Sequence, residues 1–509
     1  MTYAATAPQE YAKLLKLWAE IDDLNCIGSV LHWDEQTQMP KSGSAARADH
    51  IATIARLTHA RISSSELGNT IEKLLPWAEG LPAESDEGAI VKVAKREYDK
   101  ATKISADLVD RMSDVRSRAF LTWLKSREEK DFAVFRPALE EVYEVSRAVA
   151  ESLGYKEHPL DPLVDQQEPG MTVNDVDVLF AELREALVPL AKAIAETGET
   201  GRDAMLRQYY DPKVQWDLGI DGVKAIYFKL DEGRADKSVH PFSTTFSPND
   251  VRITTRVKPN DFGPSFFAFL HEAGHGHYMQ GVPVKYRRTP LIEGASSGAH
   301  ESQSRTWENI VGRSRGFSQF FYPRVQQAFP EQTKGKTVED WYKAVNAVKP
   351  SFIRVEADEV TYNLHIMIRF ELEKAVFDGK LAIADLRDAW NAKFEEYLGI
   401  TPADDLVGVL QDIHWSGHFG AAFQSYTIGN VMSAQLYSAA LRDVLGLQGE
   451  FAVGDYKRLL KWSQENVHAH GCKYTPRELM KVATGEYLTA KPYIKYIRGK
   501  FGDLYGLKL

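Results

Sequence analysis

The segment HEAGHGHYMQG, residues 271–281, places three histidines and one glutamate within seven positions. In an α-helix, His271 and His275 lie about 40° apart on one face, whereas His277 points about 200° away from His275. Glu272 lies about 100° from His271, beside the pair. This is the H-E-x-x-H pattern, in which two histidines bind zinc and the glutamate takes a proton from the attacking water. The pattern predicts a metal-dependent hydrolytic site and leaves His277 an ordinary packing or surface role.

A hydrolytic zinc site needs a third protein ligand and keeps one position open. No further histidine or cysteine follows at an established spacing, so a glutamate from the next helix is expected to complete a His₂Glu set. Glu293 lies in a turn-like stretch, Glu301 begins a predicted helix, and Glu308 follows two turns later on the same face. Spacing favours Glu301 and leaves the other two open.

A different metal chemistry is also compatible with the residues. Glu272-x-x-His275 and Glu465-x-x-His468 match the paired Glu-x-x-His motifs of di-iron helical bundles. Metal counting separates the two interpretations, because a peptidase holds one zinc or cobalt ion and the bundle holds two irons. A third interpretation is a non-catalytic helical binding protein, but the intact Glu272 argues against it, since a structural metal needs no base.

Helical periodicity dominates the elements that must position these residues. Apolar residues recur near every 3.6 positions in residues 10–36. Similar stretches predict helices at 87–126, 134–153, 174–196, 338–348, 353–377 and 383–398, with loops at 155–171, 197–202 and 330–336. Residues 240–257 alternate around Ser-Pro-Asn-Asp and predict a β-hairpin just before the metal helix. Such a strand either pairs with substrate backbone in the cleft or is purely structural.

Composition excludes several classes of protein. Of 509 residues, 44% are hydrophobic and 26% charged, as is typical of soluble globular proteins. The net charge of −9 and the absence of a long basic block argue against nucleic acid as a partner. The two cysteines, Cys26 and Cys472, do not provide a disulfide framework. The N-terminus lacks signal-peptide features and no apolar run spans a membrane, so we expect a cytoplasmic protein without a membrane partner.

Ordered motifs along the chain carry a resemblance to a known family. In chain order they are HPF at 240–242, Asp250-Val-Arg252-Ile-Thr254, HEAGH at 271–275, His300-Glu301-Ser-Gln303, Ile353-Arg354-Val-Glu-Ala-Asp358 and Gly408-Val-Leu-Gln411-Asp412-Ile-His414-Trp415. Trp33-Asp34, Met39-Pro40 and Ala483-Thr-Gly485 extend the match toward both ends. The series resembles that of the carboxypeptidase Taq family, the M32 metallocarboxypeptidases.

The resemblance implies a fold and a metal centre. The fold is mainly α: a single zincin-like (gluzincin) helical body over residues 1–509 with a deep cleft and a small β-hairpin or sheet beside the HExxH helix. Roughly residues 1–150 form an N-terminal helical lid. The implied ligands of one zinc or cobalt ion per chain are His271, His275 and Glu301, with Glu272 as general base. Family members are often homodimers.

One loop departs from the family pattern. Family members commonly read GYFPTY after the QDxHW motif, whereas this chain has Gly420-Ala-Ala-Phe-Gln-Ser-Tyr426. The first tyrosine and the proline are absent, and Tyr426 stays in register. His414 and Tyr426 are the candidate donors to the oxyanion that develops during peptide hydrolysis.

A carboxypeptidase must also recognise a free C-terminal carboxylate, which suits the planar fork of arginine. Arg252 and Arg354 are the motif arginines, and each could instead form a structural ion pair with a carboxylate such as Asp250 or Asp358. The resemblance favours Arg354 as the anchor, and His240 is a candidate contact to substrate backbone. We therefore expect a metal-dependent carboxypeptidase acting on peptides with a free C-terminus. A dipeptidyl carboxypeptidase or an oligoendopeptidase, which share the metal chemistry, are the alternatives.

Overall fold

The computed structural model describes residues 8–508, and α-helices make up most of that range. Six helices form its N-terminal part: α1 (Gln9–Thr37), α2 (Ser44–Ile62), α3 (Ser65–Glu79), α4 (Asp86–Lys103), α5 (Ala106–Glu129) and α6 (Phe132–Leu153). The helices that follow are α7 (Asp161–Gln167), α8 (Val173–Glu196), α9 (Pro212–Ala225), α10 (Phe262–Gly281), α11 (Ser297–Arg305), α12 (Arg315–Ala328), α13 (Val338–Val345), α14 (Tyr362–Phe377), α15 (Leu386–Leu398), α16 (Gln424–Asp443), α17 (Leu447–Glu450), α18 (Lys457–Asn466), α19 (Pro476–Thr484) and α20 (Lys491–Tyr505). The prediction of a mainly helical chain is confirmed.

A small sheet lies beside α10. Its strands are β1 (Gly233–Lys237), β2 (Ser243–Ser247) and β3 (Asp250–Thr255), in the order β1-β3-β2. β2 and β3 are antiparallel, which confirms the predicted hairpin, and β1 pairs with β3 in parallel. The sequence GRADK of β1 is short and polar, so its alternation is too weak to predict a strand. β2 is an edge strand, and its free side can accept another strand.

Three predicted elements have different bounds in the structure. The helix predicted over 87–126 is two helices, because Ser105 caps α5 by accepting a hydrogen bond from the Leu108 backbone N–H. The helix predicted over 353–377 begins only at Tyr362, since the Asp358 carboxylate accepts backbone hydrogen bonds that hold the chain in a turn before it. The predicted loop 155–171 contains α7.

Close packing of three helices fixes the centre of the molecule. A Cβ atom on Gly274 of α10 would lie 2.5 Å from the Cα atom of Ser304 on α11. A Cβ atom on Gly429 of α16 would lie 2.5 Å from the Cβ atom of Glu301, also on α11. Only glycine therefore permits these approaches, which bring Glu301 against the H-E-x-x-H segment.

Side chains join the N-terminal helices to the rest of the chain. Asp86 at the start of α4 pairs with Lys285 and with Lys473, at 2.7 Å for the latter, and accepts a hydrogen bond from the Tyr286 hydroxyl. Arg288 pairs with Asp23 of α1 at 2.7 Å. That roughly residues 1–150 form a lid stays a prediction. Residues 1–7 lie outside the described range. None of the described helices combines the length and apolar character that crossing a membrane requires.

Candidate metal centre and peptide cleft

The two histidines of α10 face one carboxylate of α11. The Nε2 atoms of His271 and His275 lie 3.7 and 3.4 Å from the Oε2 atom of Glu301. One donor atom from each residue lies within 4.8 Å of the other two. Tetrahedral zinc with bonds of about 2.0–2.1 Å separates its ligand atoms by about 3.4 Å. The donor set and its spacing therefore fit a His₂Glu site for one divalent ion.

Glu308 lies on the opposite side of the His271 ring. Its Oε2 atom accepts a hydrogen bond from Nδ1 of His271 at 2.9 Å. Burial would raise the pKa of Glu308, but Arg305 and His271 lower it to about 2, so the carboxylate is ionised and the ring must donate. In the neutral form of the ring, Nε2 of His271 carries no proton and is directed at Glu301. Burial lowers the pKa of His271, but the carboxylates of Glu301 and Glu308 raise it overall, so both hold the ring in this site. Glu308 contacts Nδ1 of His271, on the side of the ring away from Glu301, so this geometry does not favour Glu308 as the third ligand.

A π-helical turn and one arginine support this arrangement. The turn Thr306–Val311 follows α11 directly and carries Glu308, and such turns often occur at functional sites. Arg305 donates to Oε1 of Glu301 at 2.6 Å and to Oε2 of Glu308 at 3.2 Å. Burial would raise the pKa of Glu301, but Arg305 and the two histidines hold it well below its usual range. Arg305 thus keeps both carboxylates ionised and fixed in position.

Glu272 is buried beside the histidine pair, on the wall of the cleft. Burial raises its pKa above the usual value for a glutamate, opposed by the nearby His271 and His275. No hydrogen bond holds its carboxylate to another residue of the described range. A buried, unpaired carboxylate with a raised pKa is suited to accept a proton.

The cleft has a volume of about 920 Å³ and separates α10 from the N-terminal helices. Both histidines of the cluster line it together with Glu272, and residues 243–245 of the edge strand β2 form another wall. Residues of α1 and α4 close it from the opposite side. An extended peptide lying beside β2 would therefore pass the histidine cluster.

Arg354 is buried in a separate group of side chains that is not part of the cleft lining. Its Nε atom donates to Oδ1 of Asp412 at 2.9 Å and its Nη1 atom to the hydroxyl of Tyr362 at 3.2 Å. Its ion-pair partner is thus Asp412, not the Asp358 considered from sequence. The Nη2 atom has no hydrogen-bond partner in the described part of the chain. Arg305, which contacts the carboxylates of Glu301 and Glu308, lies over the Tyr362 ring at 4.4 Å, so the two groups are adjacent.

His414 and Tyr426 lie close to Arg354. Nε2 of His414 is 3.2 Å from the Tyr426 hydroxyl, and the Arg354 guanidinium lies 5.1 Å from the centre of the Tyr426 ring. Burial lowers the pKa of His414 to about 3, and burial raises that of Tyr426 to about 12. Both are therefore neutral hydrogen-bonding groups at neutral pH. His240 is exposed, and partial desolvation and the charges of Arg256 and Arg354 lower its pKa.

The loop that departs from the family pattern is held by a buried glutamate. Gly420 and Ala421 have φ angles of 92° and 52°, and the N–H of Ala421 donates to Oε1 of Glu373 at 3.1 Å. This bond compensates the left-handed conformation that alanine rarely adopts. Tyr426 follows in the first turn of α16, so the loop determines where its hydroxyl lies.

Arg252 of β3 has a different ion-pair partner from Arg354. It pairs through two hydrogen bonds with Asp250, at 2.9 and 3.0 Å, which is the structural pairing considered from sequence. Its guanidinium lies between the rings of Trp33 and Phe246, at 4.3 and 4.7 Å. Arg252 thus connects α1 to the sheet.

Several other candidate residues do not join the cluster. Glu293 lines the cleft but contributes no donor atom to the three-residue group. Glu465 is exposed, and His468 is buried with its Nε2 atom 2.8 Å from Oε1 of Gln303, so no second Glu-x-x-His ligand pair forms among residues 8–508. His277 is buried against Trp307 and Phe228, in agreement with a packing role.

Sequence reasoning missed Arg305 and Arg369. Arg305 lies four positions after Glu301, and this i, i+4 spacing of opposite charges is a signal that could have identified it. Arg369 donates to Oδ2 of Asp412 at 2.6 Å. Its partner is 43 positions away, so no local pattern indicates it.

The family model described as carboxypeptidase Taq (M32) metallopeptidase matches residues 13–501. The chain belongs to this family. It is 38% identical to thermostable carboxypeptidase 1 of Thermus thermophilus, covering 98% of this chain and all of that protein. Carboxypeptidase 1 of Bacillus subtilis is 37% identical, over 98% of this chain and 99% of its own. The crystal structure of the M32 carboxypeptidase of Deinococcus radiodurans R1 has a TM-score of 0.94 and 42% identity, covering 98% of this chain and all of that one.

Membership in the M32 family confirms the resemblance read from the ordered motifs. The chain is a metallocarboxypeptidase, a hydrolase that removes residues from the C-terminus of peptides and requires a divalent metal. The mainly helical fold with a small sheet is the fold of the M32 structures. The interpretation as a di-iron bundle is not supported.

Proposed function

We propose that His271, His275 and Glu301 hold one zinc or cobalt ion for C-terminal peptide hydrolysis. The observation that carries the proposal is the meeting of three donor atoms within 4.8 Å on the wall of a cleft. When bound, the ion supplies Lewis acidity, which lowers the pKa of water and polarises a carbonyl. Glu308 and Arg305 support the site, because they fix His271 and Glu301 in the required orientation.

Glu272 is proposed as the general base. It takes a proton from the attacking water and later delivers that proton to the leaving amine. Its burial beside both histidines, together with its raised pKa, supports this role. Its burial limits competing water and strengthens its interactions with the peptide.

Arg354 is proposed to bind the terminal carboxylate of the peptide. Its unpartnered Nη2 atom and its position next to the Arg305–Tyr362 pair support a subsite adjoining the metal ligands. His414 or Tyr426 then donates a hydrogen bond to the oxyanion that forms at the scissile carbonyl. His240 and the edge strand β2 are proposed to bind the backbone of the peptide.

The deciding experiment compares matched peptides. A mixed set of peptides is incubated with metal-loaded protein, each peptide with a free or an amidated C-terminus, and the products are identified by mass spectrometry. We expect single residues to leave from the free terminus and the amidated peptides to resist. Release of dipeptides would contradict removal of single residues and favour the dipeptidyl carboxypeptidase alternative, and internal cleavage would favour the endopeptidase alternative.

Two further proposals concern the state of the protein. We propose a homodimer, to be measured by light scattering of the full chain at several concentrations. We also propose a cytoplasmic location, which is supported by the free thiols of Cys26 and Cys472. Fractionation of cells that express the protein tests the location.

A further inference from the structure

Two arginines share one aspartate behind the proposed carboxylate subsite. Arg354, Arg369 and Asp412 are only 5%, 0% and 4% exposed. Oδ1 of Asp412 accepts from Nε of Arg354, and Oδ2 accepts from Nε of Arg369. Within residues 8–508, neither arginine pairs with any other carboxylate. The buried group therefore contains two positive charges and one negative charge.

Neighbouring titratable groups do not supply the missing negative charge. Burial lowers the pKa values of His365 and His414, so both imidazoles are neutral at neutral pH. The Tyr426 hydroxyl stays protonated because burial raises its pKa to about 12. Arg127, which donates to the backbone oxygen of Leu410, adds a further positive charge near Asp412. An excess buried positive charge is costly unless an anion arrives.

In both arginines, some terminal N–H groups of the guanidinium have no hydrogen-bond partner in the described part of the chain. Each arginine contacts Asp412 through Nε and not through its terminal fork. Nη2 of Arg369 is buried without a partner. Arg369 is packed against Trp390, 4.6 Å from the ring centre, and its Nη1 atom donates to the backbone oxygen of His365. It is thus fixed in place and cannot reach the cleft.

We propose that Arg369 is a positioning residue for recognition of the C-terminal carboxylate. By holding one oxygen of Asp412, it prevents that aspartate from forming a two-bond pair with Arg354 and neutralising it. The net positive charge that remains is balanced by the carboxylate of the bound peptide. The inference rests on the proposed role of Arg354 as the anchor. Arg369 acts through Asp412 and does not touch the substrate.

Variants that change the net charge of the group formed by Arg354, Arg369 and Asp412 test the proposal. In Arg369→Met the pair of Arg354 and Asp412 has no net charge, because Asp412 can bind Arg354 through both oxygens, and methionine can fill the space against Trp390. We expect KM for free-acid peptides to rise by about tenfold or more with a much smaller change in kcat. In the double variant Arg369→Met/Asp412→Asn, the single positive charge of Arg354 is restored. We expect KM to recover to within about threefold of the unmodified protein.

Controls separate this effect from damage to the fold. Arg147→Met removes a partly buried arginine that donates to the backbone oxygens of Val376 and Phe377 and has no bond to Asp412, so it should leave KM unchanged. Metal content and the thermal midpoint are measured for every variant. A double variant at least as impaired as Arg369→Met would overturn the proposal, as would an unchanged KM in the single variant. Arg354→Ala is measured in parallel: equal losses of kcat/KM on free-acid and amidated peptides would show that Arg354 is not the anchor.

Discussion

Nδ1 of His271 lies 2.9 Å from Oε2 of Glu308, on the side of the ring opposite Glu301. When the ring is neutral, the ionised carboxylate of Glu308 favours the tautomer in which Nε2 of His271 carries no proton and faces Glu301. The π-helical turn after α11 makes this contact, because it changes the direction in which Glu308 projects. The site is thus organised by a residue that contributes no ligand atom to the three-residue cluster.

Glu308→Ala should therefore weaken metal binding without removing it. We expect a loss of about 10- to 100-fold in affinity, since His271 loses the group that orients its ring. Glu308→Gln, whose amide oxygen can still accept from Nδ1, should lose less. A competition assay with a chelator of known affinity measures both values. Equal affinity of the alanine variant and the unmodified protein would show that the contact has no effect on the metal.

Substitution of a proposed ligand should lower the metal content of the protein, whereas substitution of the third histidine of the segment, His277, should not. His271→Ala, His275→Ala and Glu301→Ala should each lower the metal content after dialysis, because two remaining ligands bind a divalent ion weakly. His277→Ala is the control: it should reduce stability through lost packing against Trp307 but keep the metal. Elemental analysis measures the bound ion. Full occupancy in Glu301→Ala would require another third ligand, Glu293 or Glu308.

Glu272→Gln tests the base separately from the ligands. The amide has nearly the same shape but cannot take a proton, so metal content should stay unchanged while kcat falls by at least about a hundredfold. Turnover of the fully metal-loaded variant is compared with that of the unmodified protein on one peptide. Near-normal turnover would assign the base to a different residue.

Local patterns explain what could be predicted from the sequence. The spacing of His271 and His275 fixes their common face as soon as the segment is helical, and the alternation of residues 240–257 indicates the hairpin. Spacing favours Glu301, and the structure brings it to the histidines through the glycine contacts of α10 and α16. These features depend on neighbours in sequence or on an ordered family motif.

The missed features depend on tertiary contacts. Asp412 meets Arg354 and Arg369 across 58 and 43 positions, so charge spacing along the chain does not indicate which carboxylate pairs with which arginine. The break before α14 has a local cause that periodicity does not register, because Asp358 binds backbone N–H groups that a helix would otherwise use. Arg252 likewise has aromatic contacts from α1, more than 200 positions earlier.

Buried Glu373 predicts a dependence of stability on pH. Burial raises its pKa from 4.5 to about 8, partly offset by the hydrogen bond from the Ala421 N–H, and Oε2 has no partner in the described range. The folded chain therefore keeps a proton that the unfolded chain loses. This contribution to stability is fully present below about pH 4.5 and is lost as pH rises through about 8.

Glu373→Gln should remove that dependence. The free energy of unfolding, measured by denaturant titration between about pH 5 and 9, should fall less steeply with pH in the variant than in the unmodified protein. Glu128→Gln changes an exposed glutamate of α5 and serves as the control. Parallel pH profiles for Glu373→Gln and the unmodified protein would contradict a protonated Glu373.

Arg354→Ala tests what makes the protein an exopeptidase. Loss of one partner of a desolvated charge pair costs a few kcal/mol, so kcat/KM for free-acid peptides should fall by about two orders of magnitude or more. Amidated peptides, which lack the charge, should lose much less. Arg252→Ala is the matched comparison: its partners are Asp250 and Trp33, so any loss should be similar for both kinds of peptide and accompanied by lower thermal stability. Circular dichroism and metal content should be unchanged in Arg354→Ala. Equal losses on free-acid and amidated peptides would make Arg354 structural and return Arg252 to consideration as the anchor.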